Sequence, residues 1–359
     1  MDTTNQFCPN EDCPDYGRVG AGNIGVHSLK EKRCICHTCG CTFAITHDTP
    51  LYRRRLDHEL IGWVVSLLAN GCPKQAIVFT WGLDPRTVDD WWESSGEHSQ
   101  RVHEATVAQN RMDLQQVQMD EIRHKVQGAI IWIAMALAVP TRLWLGAVVS
   151  LHRDKSLIVT LVEKVKAAAL CRPLLICFDG LSCYLTACRQ VFRSPLRTGK
   201  PGRPRLIPWL DICLGQVVKQ YAKRRVVGVE RRLVQGSQAL VDRLLTLSQR
   251  SGVLNTAFIE RLNGTFRSRL SLLVRRTRHL ARRPERVEKA VYLVGCVYNF
   301  CTYHTSLRLP LYLIQDSREQ RRWVQRTPAM AAKITDHCWT VLDLLEYKVP
   351  SPHWKGAAA

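Results

Sequence analysis

Three carboxylates occupy positions from which they could share divalent metal ions. Asp120 sits in Met119-Asp120-Glu121, at the end of the segment Leu114–Ile122. Asp179 closes the short apolar run Pro173-Leu174-Leu175-Ile176-Cys177-Phe178 and precedes Gly180. Glu260 lies in Asn255-Thr256-Ala257-Phe258-Ile259-Glu260-Arg261-Leu262-Asn263-Gly264-Thr265-Phe266-Arg267, where Ile259, Leu262, Phe266, Leu270 and Leu273 recur at helical spacing. Glu260, Asn263 and Arg267 share an adjacent face of that helix, which sets a metal ligand, an amide and a phosphate-binding cation in one row. Hard carboxylate oxygens suit Mg²⁺ or Mn²⁺. A pair of such ions about 4 Å apart activates an attacking water or 3′-hydroxyl and stabilises the leaving oxygen, with no covalent enzyme intermediate. The plain alternative is that an Asp at a strand end is a turn residue and a helical Glu a solvated one. Glu121, Asp154, Asp211 and Glu230 are the reserve acids.

A second constellation opens the chain. Six of the fifteen cysteines fall within the first 41 residues. Cys8 and Cys13 form one pair, and Arg33-Cys34-Ile35-Cys36-His37-Thr38-Cys39-Gly40-Cys41-Thr42-Phe43 holds the other. Two paired knuckles in a segment with little core of its own are what tetrahedral Zn²⁺ requires. Cys8, Cys13, Cys36 and Cys39 are the expected ligands, with Phe43 packed beneath them. Cys34 and Cys41 stand as alternates and His37 as a weaker one; the other reading is a set of free thiols.

These residues need elements to hold them. Three strands in quick succession, Leu114–Ile122, Ala129–Val139 and Leu143–Ser150, fit an antiparallel meander. Arg153-Asp154-Lys155 begins an amphipathic helix with Leu157, Leu161 and Val165 on one face, and the strand ending at Asp179 follows. A helical crossover sets that strand parallel to the one carrying Asp120. Three strands, a helix and a further strand are the opening of a ribonuclease-H-like α/β fold, a mixed sheet flanked by helices. Upstream, Leu60, Ile61, Val64, Leu67 and Leu68 recur at helical spacing and Asn70-Gly71 breaks the run. Pro73 fits the first turn of a second helix through Ala76, Ile77 and Phe79 to Trp81. Gly82-Leu83-Asp84-Pro85 turns into a third helix bearing Thr87, Val88, Trp91 and Trp92. This is the helix-turn-helix pattern, or else a small packing domain. Asp89, Asp90 and Glu93 would repel phosphates from the middle of the third helix, so Lys74, Arg86 and Thr87 are the better DNA contacts.

The chain has 359 residues, 46% of them hydrophobic and 23% charged, which excludes wholesale disorder, a coiled coil and a collagen-like fibre. Its net charge of +20 calls for a polyanionic partner, nucleic acid before an acidic membrane surface. The longest apolar run is too short to span a bilayer, and the polar opening carries no secretory signal. The cysteines therefore imply a metal in a reducing compartment. Arg193, Arg197, Lys200, Arg203 and Arg205 interleave with Pro201, Gly202 and Pro204; Gly202-Arg203-Pro204 matches part of an AT-hook, with Pro201 where Arg would complete it. Lys219, Lys223, Arg224, Arg225, Arg231 and Arg232 extend the basic surface, as do Arg275, Arg276, Arg278, Arg282 and Arg283. Such runs are usually solvated faces, but these flank the proposed acids. His304 follows an apolar helical stretch and is given a supporting role.

The sequence resembles the insertion-sequence transposases of the DDE class, above all the insertion-sequence-one type, over nearly its whole length. The carriers are Cys36-His37-Thr38-Cys39-Gly40-Cys41-Thr42-Phe43, Met119-Asp120-Glu121, Phe178-Asp179-Gly180, Glu260-Arg261-Leu262-Asn263, Tyr298-Asn299-Phe300 with His304, and Arg326-Thr327-Pro328-Ala329-Met330-Ala331. The resemblance implies that Asp120, Asp179 and Glu260 are the metal-binding triad. It also implies that the partner is double-stranded DNA: the element's terminal inverted repeats and the target. Assembly on two ends implies a homodimer or higher oligomer, with no membrane, in a prokaryotic cytoplasm at the nucleoid. The implied layout is a zinc ribbon over residues 1–50, a helix-turn-helix domain over 56–106, a ribonuclease-H-like catalytic domain over 114–310 and a C-terminal tail over 311–359. A basic insertion around 190–236 holds Arg193–Pro208 and a strand-like pair, Gln216–Tyr221 and Arg225–Val234; it makes the Asp179-to-Glu260 gap longer than in compact members. The second function class is a catalytically silent DNA-binding regulator descended from such an enzyme. A third, a zinc-ribbon transcription factor or RNA-binding protein, leaves the α/β half unexplained.

Overall fold

A computed structural model describes residues 1–196, 202–223, 225–249, 252–273, 283–315 and 318–349. The Cys- and Gly-rich opening forms a small antiparallel sheet of β1 (Ile24–Ser28), β2 (Arg33–Cys36) and β3 (Thr42–Ala44). Three helices follow: α1 (His58–Ala69), α2 (Lys74–Trp81) and α3 (Pro85–His103). Their limits are written in local chemistry. The Asp57 side chain accepts from the Glu59 amide at the start of α1, and Asp84 does the same for Arg86 at the start of α3. Gly82 ends α2 in the left-handed conformation (φ 62°), which glycine adopts without a Cβ penalty.

The centre of the molecule is a mixed six-stranded sheet. Its strands are β4 (Gln116–Val126), β5 (Ala129–Ala138), β6 (Leu143–Ser150), β7 (Leu174–Phe178), β10 (Ile212–Ala222) and β11 (Arg225–Gln235). A short hairpin, β8 (Arg193–Pro195) with β9 (Leu206–Pro208), lies between β7 and β10. The spatial order is β11-β10-β7-β4-β5-β6. The meander β4–β5–β6 is antiparallel, β7 pairs parallel to β4, β10 pairs parallel to β7, and β11 returns antiparallel. This order is compatible with a ribonuclease-H-like core. The strand-like pair of the basic segment, β10 and β11, forms one side of this sheet. Parallel pairing of β10 with β7 is a contact across a crossover, which a local pattern does not announce.

Strand alternation divides the apolar side chains between the two faces. On one face, Val117, Met119, Ala134 and Ala136 pack with Leu157, Leu161 and Val165 of α4 (Lys155–Ala168) and Tyr184 of α5 (Ser182–Val191). On the other, Ile122, Ile133, Met135 and Trp144 pack with Ile259, Leu262 and Phe266 of α7 (Ala257–Arg269) and Val287, Ala290 and Val291 of α8 (Pro284–Cys296). The intervening α6 (Gln238–Gln249) covers Leu175, Cys177 and Cys213 with Val241, Leu244 and Leu245.

The expected boundaries between helical module, catalytic half and tail are crossed by packing. Ile61, Val88 and Trp91 share one buried cluster with Leu293, Val297 and Phe300. After the hairpin β12 (Leu309–Gln315) and β13 (Arg318–Val324), the C-terminal residues form α9 (Pro328–Ala331) and α10 (Val341–Glu346). Their Ala329, Val341, Leu344 and Leu345 enter that same cluster, so the C-terminal segment contributes to the core. The Tyr298-Asn299-Phe300 motif is structural here: the Asn299 side chain accepts from the Trp144 amide and donates to the Trp144 carbonyl, both at 2.9 Å. Among the described residues, no helix is long and apolar enough to cross a membrane.

Candidate active centre and metal site

The parallel register sets Gln116 opposite Leu175, Val117 opposite Ile176 and Gln118 opposite Cys177. Two residues beyond that last pair, each strand delivers a carboxylate, Asp120 from β4 and Asp179 just past β7. The Asp179 side chain accepts from the Leu181 amide at 2.9 Å, which holds the turn into α5. Gln118 fixes the third element. Its Oε1 accepts from the Phe258 and Ile259 amides at 3.0 Å, and its Nε2 donates to the Asn255 carbonyl at 2.7 Å. The first turn of α7 is thereby fastened to β4 two residues before Asp120, satisfying amides that the helix leaves without partners.

Glu260 faces the same pocket from α7. Asp120, Asp179 and Glu260 line a cavity of about 570 Å³ with Arg153, Lys219 and Thr256. Within it the acids are not equivalent. Asp120, Glu121 and Asp179 offer oxygens that all lie within 4.8 Å of one another. Glu260 is outside that group; its Oε1 accepts from Lys219 Nζ and from Thr256 Oγ1, each at 2.6 Å. Arg153 bridges the tight group, donating to Glu121 Oε2 at 2.7 Å and to Asp179 Oδ2 at 3.5 Å, with its guanidinium 4.9 Å from the Trp132 ring centre. Asn263 Nδ2 donates to Asp120 Oδ2 at 2.8 Å.

Burial pushes the Asp120 carboxyl up to about 7, and the charges of Glu121, Asp179 and Glu260 add to the rise against a hydrogen bond from the Glu121 amide. Burial works against the charge of Arg153, but the Glu121 hydrogen bond and the Glu121 and Asp179 charges outweigh it and hold its pKa above the ordinary value. Glu121 Oε1 is buried without a hydrogen-bond partner. An orphaned carboxylate oxygen beside two further carboxylates is the donor chemistry of a hard divalent cation.

The other reserve acids serve elsewhere. Asp154 caps α4 by accepting from the Leu157 amide at 3.0 Å, Asp211 stands in a left-handed turn (φ 59°), and Glu230 pairs with Arg232 at 2.6 Å. Arg267 is half-buried on α7 and does not line the acid pocket. His304, given a supporting role, lines a separate cavity beside α7 rather than the acid pocket. Gln118, Arg153 and Thr256 are the site residues that sequence reasoning missed. A polar Gln inside the apolar stretch Val117–Met119, on the strand face of Asp120, was the available signal for the first.

The thiols Cys8, Cys13, Cys36 and Cys39 converge, with all four sulfurs within 4.8 Å of one another. Cys8 Sγ lies 3.6 Å from Cys39 Sγ, and Cys13 Sγ 3.9 Å from Cys36 Sγ. Tetrahedral Zn²⁺ with bonds of about 2.3 Å sets its sulfurs about 3.8 Å apart, so the donor set fits. The Cys41 amide hydrogen-bonds Cys39 Sγ and lowers that thiol to about 7. Burial raises Cys8 and Cys13, opposed by the amides of Asn10 and Asp15 respectively. Cys34, Cys41 and His37 stay outside this group.

The expected DNA contacts divide. Arg86 is exposed and Thr87 half-buried at the start of α3, while Lys74 is engaged within the protein by Asp89 at 2.9 Å. The acids of α3 are likewise occupied: Asp90 by Arg54, Glu93 by Arg286 and Glu97 by Lys289. Arg193, Arg203, Arg205, Lys223 and Arg225 are exposed. Arg197, Lys200, Arg224, Arg275 and Arg276 lie outside the described residues.

No family model and no curated protein matches the sequence. Among solved structures, the chain is similar to one from the cryo-EM structure of a simian T-cell lymphotropic virus intasome in complex with the PP2A regulatory subunit B56 gamma. The identity is 12% and the TM-score 0.32, over 76% of this chain and 74% of that one.

Proposed function

We propose that this protein is a DNA transposase, a metal-dependent polynucleotidyl transferase that cleaves strands at the ends of a mobile element and joins them to target DNA. The observation that carries the reading is the convergence of Asp120, Asp179 and Glu260 on one pocket from two neighbouring parallel strands and a helix. Asp120 and Asp179 would hold Mg²⁺ or Mn²⁺, with Glu121 or Glu260 completing the set. Such ions, when bound, activate the attacking hydroxyl and stabilise the leaving oxygen of a phosphodiester. Asn263 orients the Asp120 carboxylate. Arg153 and Lys219 bring positive charge to the pocket where a phosphodiester would lie. Zn²⁺ on Cys8, Cys13, Cys36 and Cys39 would give the N-terminal segment, read as a zinc ribbon, the stability its small core lacks. The helices over 56–106 are read as a DNA-binding module and residues 114–310 as the catalytic core. The partner is double-stranded DNA at the element's ends and target, engaged by at least a dimer, at the nucleoid of a prokaryotic cell.

One observation favours a second reading, a catalytically silent DNA-binding regulator: Glu260 is held by Lys219 outside the tight carboxylate group. Nicking of supercoiled plasmid by purified protein with Mn²⁺ or Mg²⁺ separates the two. The transposase reading expects nicking by the wild type and its loss in Asp120→Asn and Glu260→Gln. Tight DNA binding without nicking, on a substrate carrying the element's own ends, would support the regulator instead.

A further inference from the structure

A second cavity, of about 250 Å³, adjoins α7 and is lined by Arg142, Arg261, Arg269, Tyr298, Thr302 and His304. Its composition is one-sided. Three guanidiniums face one space, and among the described residues no carboxylate pairs with any of them. Arg142 and Arg269 are half-buried. Arg142 donates to the Val139 carbonyl and lies over the Phe258 ring, 3.9 Å from its centre. Both terminal nitrogens of Arg269 reach Thr302 Oγ1 at 3.3 Å. Neutral partners satisfy some hydrogen bonds but leave the charge uncompensated.

The cost is visible at Arg142, Arg269 and His304. Burial pulls Arg142 below the ordinary arginine range; Tyr298 opposes this and the charge of Arg261 adds to it. Burial also lowers Arg269, opposed by Tyr298 and Cys301. His304 is lowered by burial, then by the charges of Arg142 and Arg261. Its Nδ1 lies 3.0 Å from Ser306 Oγ. Arg142 further sits in left-handed backbone (φ 57°), a conformation that an L-residue adopts uncommonly and keeps only where the surroundings enforce it. A strained turn that directs a cation towards two others calls for an anion between them.

We propose that this cavity binds a phosphate group, held between Arg142, Arg261 and Arg269. Guanidinium forks match phosphate oxygens bidentately, and Thr302 and Tyr298 add hydroxyls. On α7, Arg261, Thr265 and Arg269 follow one another at four-residue spacing on the face next to that of Glu260. A DNA strand reaching the acid pocket would therefore place a nearby backbone phosphate here. That choice of source rests on the function proposed above; the phosphate chemistry does not.

Two measurements on the full-length protein test the proposal. In the first, melting temperature is compared in inorganic phosphate and in chloride at equal ionic strength. In the second, binding of a short labelled DNA duplex is followed against salt concentration without divalent metal. The variants are Arg142→Gln, Arg261→Gln and, as a control for lost charge, Arg243→Gln on α6. A backbone phosphate predicts several-fold weaker DNA binding and a log–log salt slope smaller by about one in both cavity variants, beyond any change in the control. A free phosphate ligand predicts stabilisation by inorganic phosphate that both cavity variants lose, with the DNA slope unchanged. Either result supports the site. Absence of both effects overturns it. Arg261 is exposed, so Arg261→Gln decides the matter if Arg142→Gln fails to fold. Neither measurement requires strand cleavage: a protein that never nicks DNA yet keeps the phosphate effect would retire the transposase reading and leave this site standing.

Discussion

Asn263 donates its side-chain N–H to Asp120 at 2.8 Å, joining the helix that carries Glu260 to the strand that carries the central acid. The bond fixes one Asp120 oxygen while the Glu121 amide holds the other at 2.9 Å. An orienting contact of this kind typically contributes a factor of about 10–100 to metal affinity or activity. Asn263→Ala should therefore lower plasmid nicking by about that factor and require more Mn²⁺ to reach its maximum, with the melting temperature little changed. Unaltered Mn²⁺ dependence would show that Asp120 needs no such support.

Lys219 competes with any cation for Glu260. The pair is partly exposed, so its strength is limited to about 1 kcal/mol. Lys219→Met should tighten Mn²⁺ binding by up to about fivefold in a calorimetric titration and weaken DNA binding. Weaker Mn²⁺ binding in that variant would mean that Glu260 is not a ligand.

The thiol cluster predicts one zinc per chain. Cys8→Ser, Cys13→Ser, Cys36→Ser and Cys39→Ser should each lose it by elemental analysis and melt at lower temperature. Cys34→Ser and Cys41→Ser should retain it, since neither sulfur joins the group. Chelation of the wild type should reproduce the destabilisation of the first set.

His98 and His103 set an acid limit on stability. Burial lowers both to about 3, against an ordinary value of 6.5. The folded state then binds fewer protons than the unfolded state between those values. Stability that is complete above about pH 6.5 is lost progressively as pH falls towards 3. Asp120, raised to about 7, acts with the opposite sign but through a single proton. Urea midpoints should fall between pH 7.5 and 5.5, and the fall should be smaller in His98→Gln. An equal fall in that variant would assign the acid sensitivity to other groups.

Much of this arrangement could be read locally. Asp179 is recognisable because it follows directly on an apolar strand, Asp120 because it interrupts one, and the four thiols because their spacing has few other uses. The starts of α1, α3 and α4 are written in Asp57, Asp84 and Asp154. What stayed hidden depends on contacts between distant segments. Glu121 joins the carboxylate group only because β7 brings Asp179 alongside β4. The Lys219 contact to Glu260 exists only because β10 enters the sheet, and the repulsive acids of α3 are quiet only because Arg54, Lys74, Arg286 and Lys289 meet them. The cavity that His304 shares with Arg142, Arg261 and Arg269 likewise joins segments far apart in the chain.

The seating of α3 against α8 has a mechanical consequence. Gly96 lies so close to Lys289 that an added Cβ would stand 2.6 Å from the Lys289 carbonyl oxygen. His98 meets the Leu344 carbonyl at 3.1 Å, and the Cys296 thiol reaches the Ser99 carbonyl at 3.1 Å. A helix held at these points cannot swing as a tethered arm. The separation between Arg86 at its outer end and the carboxylates is then a built-in length, set by side-chain packing rather than by a linker. On the transposase reading proposed above, this makes the chain a ruler: it would tolerate only a narrow range of base-pair spacings between the bound site and the cleaved bond.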